Sequence, residues 1–503
     1  MEWVLVGILS TILLCLHFAN LRWRRGLPPL PPGPLGFPIL GCLPLIGPAP
    51  HSSLARLARR YGPIMYLKMG TARAVVASSP SAACSFLKAH DAQFANRPSV
   101  VSAKDITYDG QNMVFANYGP RWKHLRKLSA LHLLRGRALS NWAPVRSEEV
   151  GCMLGAIRDK GRVVLSDELV CMMANVIGRA TMSRRVFETQ GKEADDFKEM
   201  IVELLTGGGL FNIGDFVPAI AWMDLQGVQA KMMRVHQRFD GMITRMVAEH
   251  RQTAAERERE GRSDFLDLLM ANRHGDDGES LSDVNIKGLI FDLFTAGTDT
   301  SSIIIEWAMA EMLRNPGILR RAQEEVDREV GRERRLVEFD IRRLPYLRAV
   351  CKEAMRLHPS TPLSLPHFSF EACEVEGYRI PGNTRLLVNI YAIGRDPDVW
   401  ADPLRFEPER FLPGGRGEGV EPMGSDFELI PFGAGRRICA GKQAGMLMVQ
   451  YVLGSLIHSF DWRLPDGVLE IDMTEKPGLA LPMAVPLSAV AEPRLAPAAY
   501  HAL

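Results

Sequence analysis

One cysteine stands in a setting that could do chemistry. It is Cys439, in Pro431-Phe432-Gly433-Ala434-Gly435-Arg436-Arg437-Ile438-Cys439-Ala440-Gly441. An apolar run, Met446-Leu447-Met448-Val449 to Val452-Leu453, follows at spacings that suit a buried helix. A cysteine just ahead of a helix N-terminus sits in positive potential, which favours its thiolate. Glycines on both sides leave room for a flat group to approach the sulfur. Arg437 is placed to neutralise an acidic group on that flat partner. A thiolate, a flat ligand and a cation for its carboxylates together point to haem held by an axial cysteine.

Further residues have types and spacings that could serve the same chemistry. In Thr295-Ala296-Gly297-Thr298-Asp299-Thr300-Ser301-Ser302 an acid and an alcohol stand side by side, Asp299 and Thr300, a pair able to deliver protons. Gly297 costs helix stability, and the hydroxyls compete for the carbonyls of the preceding turn. The expectation is a long helix from about 284 to 314 with a weak point there. Trp122 and Arg126 are four apart on a helix that starts near Gly119, so they share a face. An aromatic–cation pair on a helix surface would read the same way. Glu353 and Arg356 are three apart and therefore neighbours on a helix.

The spacing Phe432-x-x-Gly435-x-Arg437-x-Cys439-x-Gly441 resembles the haem-binding signature of the cytochrome P-450 superfamily, the haem-thiolate monooxygenases. The resemblance implies a mainly α fold with a minor β-sheet, the cytochrome P-450 fold, and haem iron bound by Cys439. It implies that Trp122, Arg126, Phe432, Arg437 and His367 contact the haem. Many relatives have arginine at the place of His367, so its contact with a haem carboxylate would depend on pH. Ala296-Gly297-Thr298-Asp299-Thr300-Ser301 matches the superfamily's oxygen-activation motif, giving Asp299 and Thr300 catalytic roles. Glu353-x-x-Arg356 and Pro408-Glu409-Arg410-Phe411 imply a buried structural network of Glu353, Arg356 and Arg410.

Residues 210–227, with Leu210-Phe211-Asn212-Ile213-Gly214-Asp215-Phe216-Val217-Pro218 and Trp222-Met223-Asp224-Leu225-Gln226-Gly227, are similar to a segment of plant flavonoid B-ring hydroxylases. The resemblance implies a flavonoid substrate, hydroxylated on its B-ring at the 3′ position. Electrons would come from NADPH through a membrane-bound cytochrome reductase, docked partly on Lys123 and Lys127. The implied substrate contacts are Phe115, Phe211, Ala296, Leu363 and Ala480. In the 3′-hydroxylase branch the place of Ala480 is usually threonine, and in the 3′,5′-hydroxylase branch usually alanine. Residues 210–240 look more like the 3′ branch. The expectation is therefore mainly 3′-hydroxylation, with 5′-hydroxylation of rings already substituted at 3′. Alternatives are a monooxygenase of another plant secondary metabolite, an oxygen-independent isomerase or dehydratase, and a haem-protein scaffold in a membrane complex. The intact acid–alcohol pair favours oxygen chemistry.

The positioning elements are legible too. Residues 52–60 predict a helix. Ile64–Met69 and Ala74–Ala77 around Gly70-Thr71 predict a hairpin. Residues 99–119 read as loop and 140–205 as helical, broken at Gly207-Gly208-Gly209. The stretches 374–380 and 385–390 predict two strands, and 250–262 an exposed charged face. Residues 3–19 carry no Lys, Arg, Asp or Glu, and Arg22, Arg24 and Arg25 follow. That predicts a retained anchor helix at 1–21, single-pass, with the catalytic part cytosolic at the endoplasmic reticulum membrane. Residues 22–38 are a basic and proline-rich hinge, expected to be a stiff spacer, and 39–503 the haem-thiolate domain. A net charge of +2 gives no case for a nucleic-acid partner. Eight scattered cysteines fit a reducing compartment.

Overall fold

The computed structural model describes residues 28–104, 106–187, 212–275 and 279–500, with residues 196, 199, 200 and 203. The expected anchor at 1–21, Phe211 and the Gly207-Gly208-Gly209 break lie outside the described residues. Among the described residues no helix is long and apolar enough to cross a membrane.

The helices that position the site are α1 (Pro50–Tyr61), α2 (Pro120–Ser129), α3 (Ala143–Lys160), α4 (Leu165–Met182), α5 (Val228–Gln252), α6 (Asp283–Arg314), α7 (Pro316–Val330), α8 (Pro345–Leu357) and α9 (Lys442–Ser459). The fold is mainly α with minor sheet. The axis of the molecule is α6, 32 residues and so about 48 Å long. Ser282 caps its first turn in a reciprocal box with Asn285. Asp283 near the start and Arg314 near the end complement its dipole. Most of α6 is buried, packed against α4, α8 and α9.

The expected weak point at Gly297 does not interrupt α6. Thr295, Thr300 and Ser302 donate to carbonyls one turn back, at 2.7–2.8 Å, and the ladder continues. Gly297 instead permits close packing. A Cβ there would lie 2.9 Å from Ile177 Cδ1 of α4. The 140–205 helical stretch is also divided. A short strand, Arg162–Val164, separates α3 from α4 after Gly161 turns at φ +66°.

The strands are β1 (Ile64–Met69), β2 (Ala72–Ala77), β3 (Arg162–Val164), β4 (His367–Ser369), β5 (Cys373–Val375), β6 (Tyr378–Ile380), β7 (Thr384–Val388), β8 (Phe460–Arg463) and β9 (Ser488–Pro493). The main sheet runs β1-β2-β7-β4, with β2 and β7 parallel and the other pairs antiparallel. A second sheet runs β3-β9-β8. The stretch expected as one strand at 374–380 is a hairpin, β5 with β6. Glu376 and Gly377 both take positive φ, 50° and 74°, as a two-residue reversal needs.

The proline-rich segment is not a free spacer over its described part. The Tyr66 N–H donates to the Pro32 carbonyl at 2.9 Å, and the Arg379 N–H to that of Pro29 at 2.8 Å. Prolines offer carbonyl acceptors without competing N–H donors, so the segment lies flat against the sheet. The globule therefore takes in chain ahead of residue 39.

One charge network ties α8 to the irregular chain before the cysteine loop. Arg356 makes two 2.7 Å bonds to the Glu353 carboxylate, and Arg410 Nε donates to it at 3.2 Å. The Glu407 N–H donates to the same carboxylate at 2.8 Å. Arg356 also donates to the carbonyls of Gly394, Pro403 and Arg405. All three side chains are buried. Glu353 is the carboxylate of Arg356, whereas Arg410 also pairs with Glu407 at 3.1 Å. Removing Glu353 strands the buried Arg356, so Glu353→Ala should cost about 3–5 kcal/mol of stability. Chemical denaturation followed by far-UV circular dichroism checks this, and a loss below ~1 kcal/mol would contradict it.

Candidate haem site

The cysteine loop is closed by its own backbone. The Cys439 N–H donates to the Phe432 carbonyl at 2.9 Å, and the Ile438 N–H to that of Gly435 at 3.1 Å. Gly435 is required twice over. Its φ is +68°, and a Cβ would sit 2.3 Å from the Leu87 carbonyl oxygen. Cys439 is solvent-accessible. Burial pushes the thiol up from its ordinary range, against the opposing pull of the Gly441 N–H, Arg126 and Lys442. The helix N-terminus was expected to favour the thiolate; here desolvation outweighs it. A coordinated metal ion would reverse that balance, since it deprotonates a thiol outright.

The two arginines of the loop diverge. Arg436 turns outward to Asp91 at 2.8 Å. Arg437 turns inward and donates to the carbonyls of Ala95 and Ala116. Trp122 lies between cations, with the Arg126 guanidinium 5.2 Å and that of Arg437 4.7 Å from its ring centroid. Its indole N–H donates to the Met113 carbonyl at 3.0 Å. A third cation joins them that sequence reading missed. Arg97 is buried and donates to the carbonyls of Leu365 and Pro366 at 2.7 and 2.9 Å. No carboxylate partners Arg97, Arg126 or Arg437 among the described residues. Burial, then the charge of Arg437, brings Arg97 down to about 9. Burial, then Arg126, brings Arg437 to about 10. Arg126 is lowered by burial as well.

Guanidiniums gathered this way, one buried and two half-buried, with no carboxylate among the described residues, are suited to an anion from outside the chain. A sulfur donor in a glycine loop beside such a group suits haem, whose iron takes the thiolate and whose two carboxylates take the cations. His367 fits that scheme less well. Its Nδ1 donates to the Phe94 carbonyl at 3.0 Å, so in the neutral ring Nε2 can only accept. Burial, then Arg97, lowers its pKa to about 3. Burial and the charge of Arg97 thus disfavour the charged ring, and Arg97 is the donor in its neighbourhood.

A family model described as cytochrome P450 matches residues 31–486. The chain belongs to the cytochrome P450 family. Its fold agrees with solved P450 structures, among them a zebra fish cytochrome P450 with progesterone, at a TM-score of 0.74, 25% identity, 88% of this chain and 99% of that one. A flavonoid 3′,5′-hydroxylase of Solanum melongena is 56% identical over 98% of this chain and 96% of its own. One from Eustoma exaltatum subsp. russellianum is 55% identical over 98% of each. A flavonoid 3′-monooxygenase of Crocosmia x crocosmiiflora is 48% identical over 98% of each. The likeness of residues 210–240 to the 3′ branch is therefore not matched by whole-chain identity. P450 enzymes carry haem on a cysteine thiolate, and Cys439 is the residue of this chain with the loop to hold it.

In this P450 the accessible stripe of α6 is Leu293, Ala296, Gly297 and Thr300, the spacing of one helix face. Asp299 is half-buried beside it. A Cβ on Gly445 at the start of α9 would meet the Phe432 ring at 3.4 Å and Ser301 Oγ at 3.9 Å, so α6 passes the cysteine loop here. Phe115 and Leu363 are half-buried, and Ala480 is buried. On the outer side of the loop lies a cleft of about 430 Å³ whose rim includes Lys123, Lys127, Arg135 and Arg436.

The sign of the His367 effect follows from its depressed folded pKa. The unfolded chain binds the proton first, so stability falls as pH drops below ~6.5, progressively until about 3. Between pH 7 and 5 the ring should cost about 2 kcal/mol. His367→Gln should flatten that part of the acid limb in urea titrations at the two pH values. An unchanged slope would show that the ring is not held neutral.

Proposed function

We propose that this cytochrome P450 is a monooxygenase that hydroxylates the B-ring of a flavonoid, first at 3′ and then, in part, at 5′ of a ring already substituted at 3′. The observation that carries the oxidative chemistry is the glycine-bounded Cys439 loop beside three cations that have no carboxylate partner among the described residues. The flavonoid reading is supported by likeness across 98% of the chain to relatives named as flavonoid hydroxylases.

Haem, when bound, supplies the activation of dioxygen. One oxygen atom enters a ring C–H bond, and the other leaves as water with two protons and two electrons that originate on NADPH. Cys439 would hold the iron through its sulfur and push electron density towards it. Arg97, Arg126 and Arg437 would take the carboxylates, and Trp122 and Phe432 would pack beside them. Thr300 donates to the Ala296 carbonyl at 2.7 Å, which leaves its oxygen lone pairs for an incoming proton donor. Asp299 supplies protons from its half-buried place. Phe115, Leu363 and Ala296 are the proposed walls for the substrate ring, with Phe211 outside the described residues.

The basic cleft with Lys123 and Lys127 suits an acidic reductase delivering electrons to the thiolate side. An endoplasmic reticulum membrane location rests on the apolar stretch at 1–21. It is supported by exposed Leu35, Phe37 and Ile39 and by exposed Trp222 and Leu225. Both groups adjoin the β1–β2 turn, where the Gly70 N–H donates to Leu40 and the Thr71 N–H to Phe216. Such a rim suits the membrane interface.

Thr300→Ala should lower product formed per NADPH consumed by about tenfold or more while NADPH consumption continues. Unchanged coupling would remove Thr300 from proton delivery. Ala480 governs the second hydroxylation in this reading. Its loop is anchored by the Leu481 N–H on the Ser360 carbonyl and by the Trp307 indole on the Leu481 carbonyl, both at 2.9 Å. A threonine there would add a hydroxyl anchor next to the ring and take space from it. Turnover with reductase and NADPH on flavones, flavanones and dihydroflavonols, with products located on the ring, tests the function. Ala480→Thr should lower 5′ product from a 3′-hydroxylated flavone by roughly three- to tenfold. No 5′ product from wild type, at enzyme levels that turn over the unsubstituted flavone, would end the 5′ part.

A further inference from the structure

Asp292 is a buried carboxylate of α6 with no cation against it among the described residues. It is held only by N–H donors. Asn112 Nδ2 donates to Oδ1 at 2.6 Å, and the Met113 and Val114 N–H groups donate to Oδ2 at 2.7 and 3.1 Å. Two more contacts lie along the same face of α6. Asn285 Nδ2 donates to the Gln111 carbonyl at 3.1 Å, and a Cβ on Gly288 would meet Asn112 Cβ at 3.2 Å. Positions 285, 288 and 292 thus form a seat for residues 111–114.

The outer edge of that segment meets the cation cradle. Its carbonyls accept from Trp122 at Met113, from Arg97 at Val114 and from Arg437 at Ala116. Phe115 is caught between the two sets of bonds, and its N–H donates to Asn112 Oδ1 at 3.2 Å. The Asn112 amide therefore has a fixed sense. A carboxylate can only accept, so Nδ2 faces Asp292 and Oδ1 is left for Phe115. Ala296, on the accessible stripe, stands one turn beyond Asp292.

We propose that Asp292 is a positioning residue for the substrate: through the Asn112 amide it fixes the Phe115 backbone, and so the wall against which the flavonoid ring rests. The proposal rests on the functional reading above. Burial without a counter-charge pushes the carboxyl up to about 7, which fits a group that relies on all three donors.

The isosteric change Asp292→Asn is informative. The new amide oxygen can keep the Met113 and Val114 N–H groups, while its nitrogen meets the Asn112 nitrogen, donor against donor. Asn112 relieves this by turning its amide over, which takes the acceptor away from the Phe115 N–H. The swapped pair, Asp292→Asn with Asn112→Asp, restores an acceptor to both groups. At pH 8, with haem-loaded enzyme, reductase and NADPH, Asp292→Asn should raise KM for the flavone by a factor of roughly three to ten, the worth of one neutral hydrogen bond. Haem content and the thiolate-type spectrum of the reduced carbon-monoxide complex should not change, because the carbonyl side of the segment is untouched. The swapped pair should return KM to the wild-type value. Hydrogen exchange of residues 112–117 should quicken in the single variant and recover in the pair. Unchanged KM in the single variant, or a change that the swap does not reverse, would overturn the proposal. A wild type that oxidises no flavonoid would refute the functional reading alone. The exchange measurement then decides the latch, and unaltered exchange in Asp292→Asn would overturn it whatever the substrate.

Discussion

Like charges gathered out of water are the constraint on which the site turns. Arg97, Arg126 and Arg437 come from three separate parts of the chain, and burial lowers the proton affinity of each, with Arg437 adding to the effect on Arg97 and Arg126 to that on Arg437. Each guanidinium gives some of its N–H groups to backbone carbonyls, at Leu365 and Pro366, at Ile438, and at Ala95 and Ala116. Carbonyl dipoles solvate a cation but do not cancel it. An arrangement of this kind is justified only by an anionic partner, and a flat dicarboxylate beside a sulfur donor meets both demands at once.

The surrounding architecture follows from holding those groups still. The positive-φ glycine at 435 lets the loop press against the Leu87 carbonyl, which turns Arg437 inward and leaves Arg436 to Asp91. The 111–118 segment runs between α6 and the cations, with backbone groups of Gln111, Met113 and Val114 bonded on the α6 side and of Met113, Val114 and Ala116 on the other. Substrate wall and cofactor cradle are therefore built on one strip of chain. Side-chain movement on the α6 side is felt by Phe115, whereas movement on the cation side is felt at the haem carboxylates.

What was legible in the sequence depended on the range of the interaction. Short-range patterns carried through: the Cys439 loop, the Glu353–Arg356 spacing, the capped helix ending at Arg314 and the hairpin around Gly70. Their geometry is written in residues three to ten apart. Arg97 was missed because its partners at Leu365 and Pro366 are 268 and 269 residues away. Asp292 was missed for a similar reason, since its donors lie 178–180 residues earlier. Gly297 illustrates a different failure. Propensity marked it as a place for the helix to open, yet tertiary packing against Ile177 uses the missing side chain and keeps the helix whole. His367 was legible as a residue, but the burial that disfavours its charge was not.

Two clusters of buried arginine in this molecule obey the same electrostatics with opposite outcomes. Around Glu353 the carboxylate is part of the chain, both arginines reach it, and the remaining N–H groups end on carbonyls. Such a cluster is complete when the chain is folded, and its work is to fix the approach to the cysteine loop. Around Arg437 the carbonyls are present but no carboxylate is, among the described residues, so the cluster is suited to completion by a ligand. The balance of fixed charge within a buried group thus separates scaffold from site without reference to any motif. It also bears on His367: burial and the neighbouring cation disfavour a charged ring there, and Arg97, bonded to the carbonyls of Leu365 and Pro366 just ahead of it, supplies the charge.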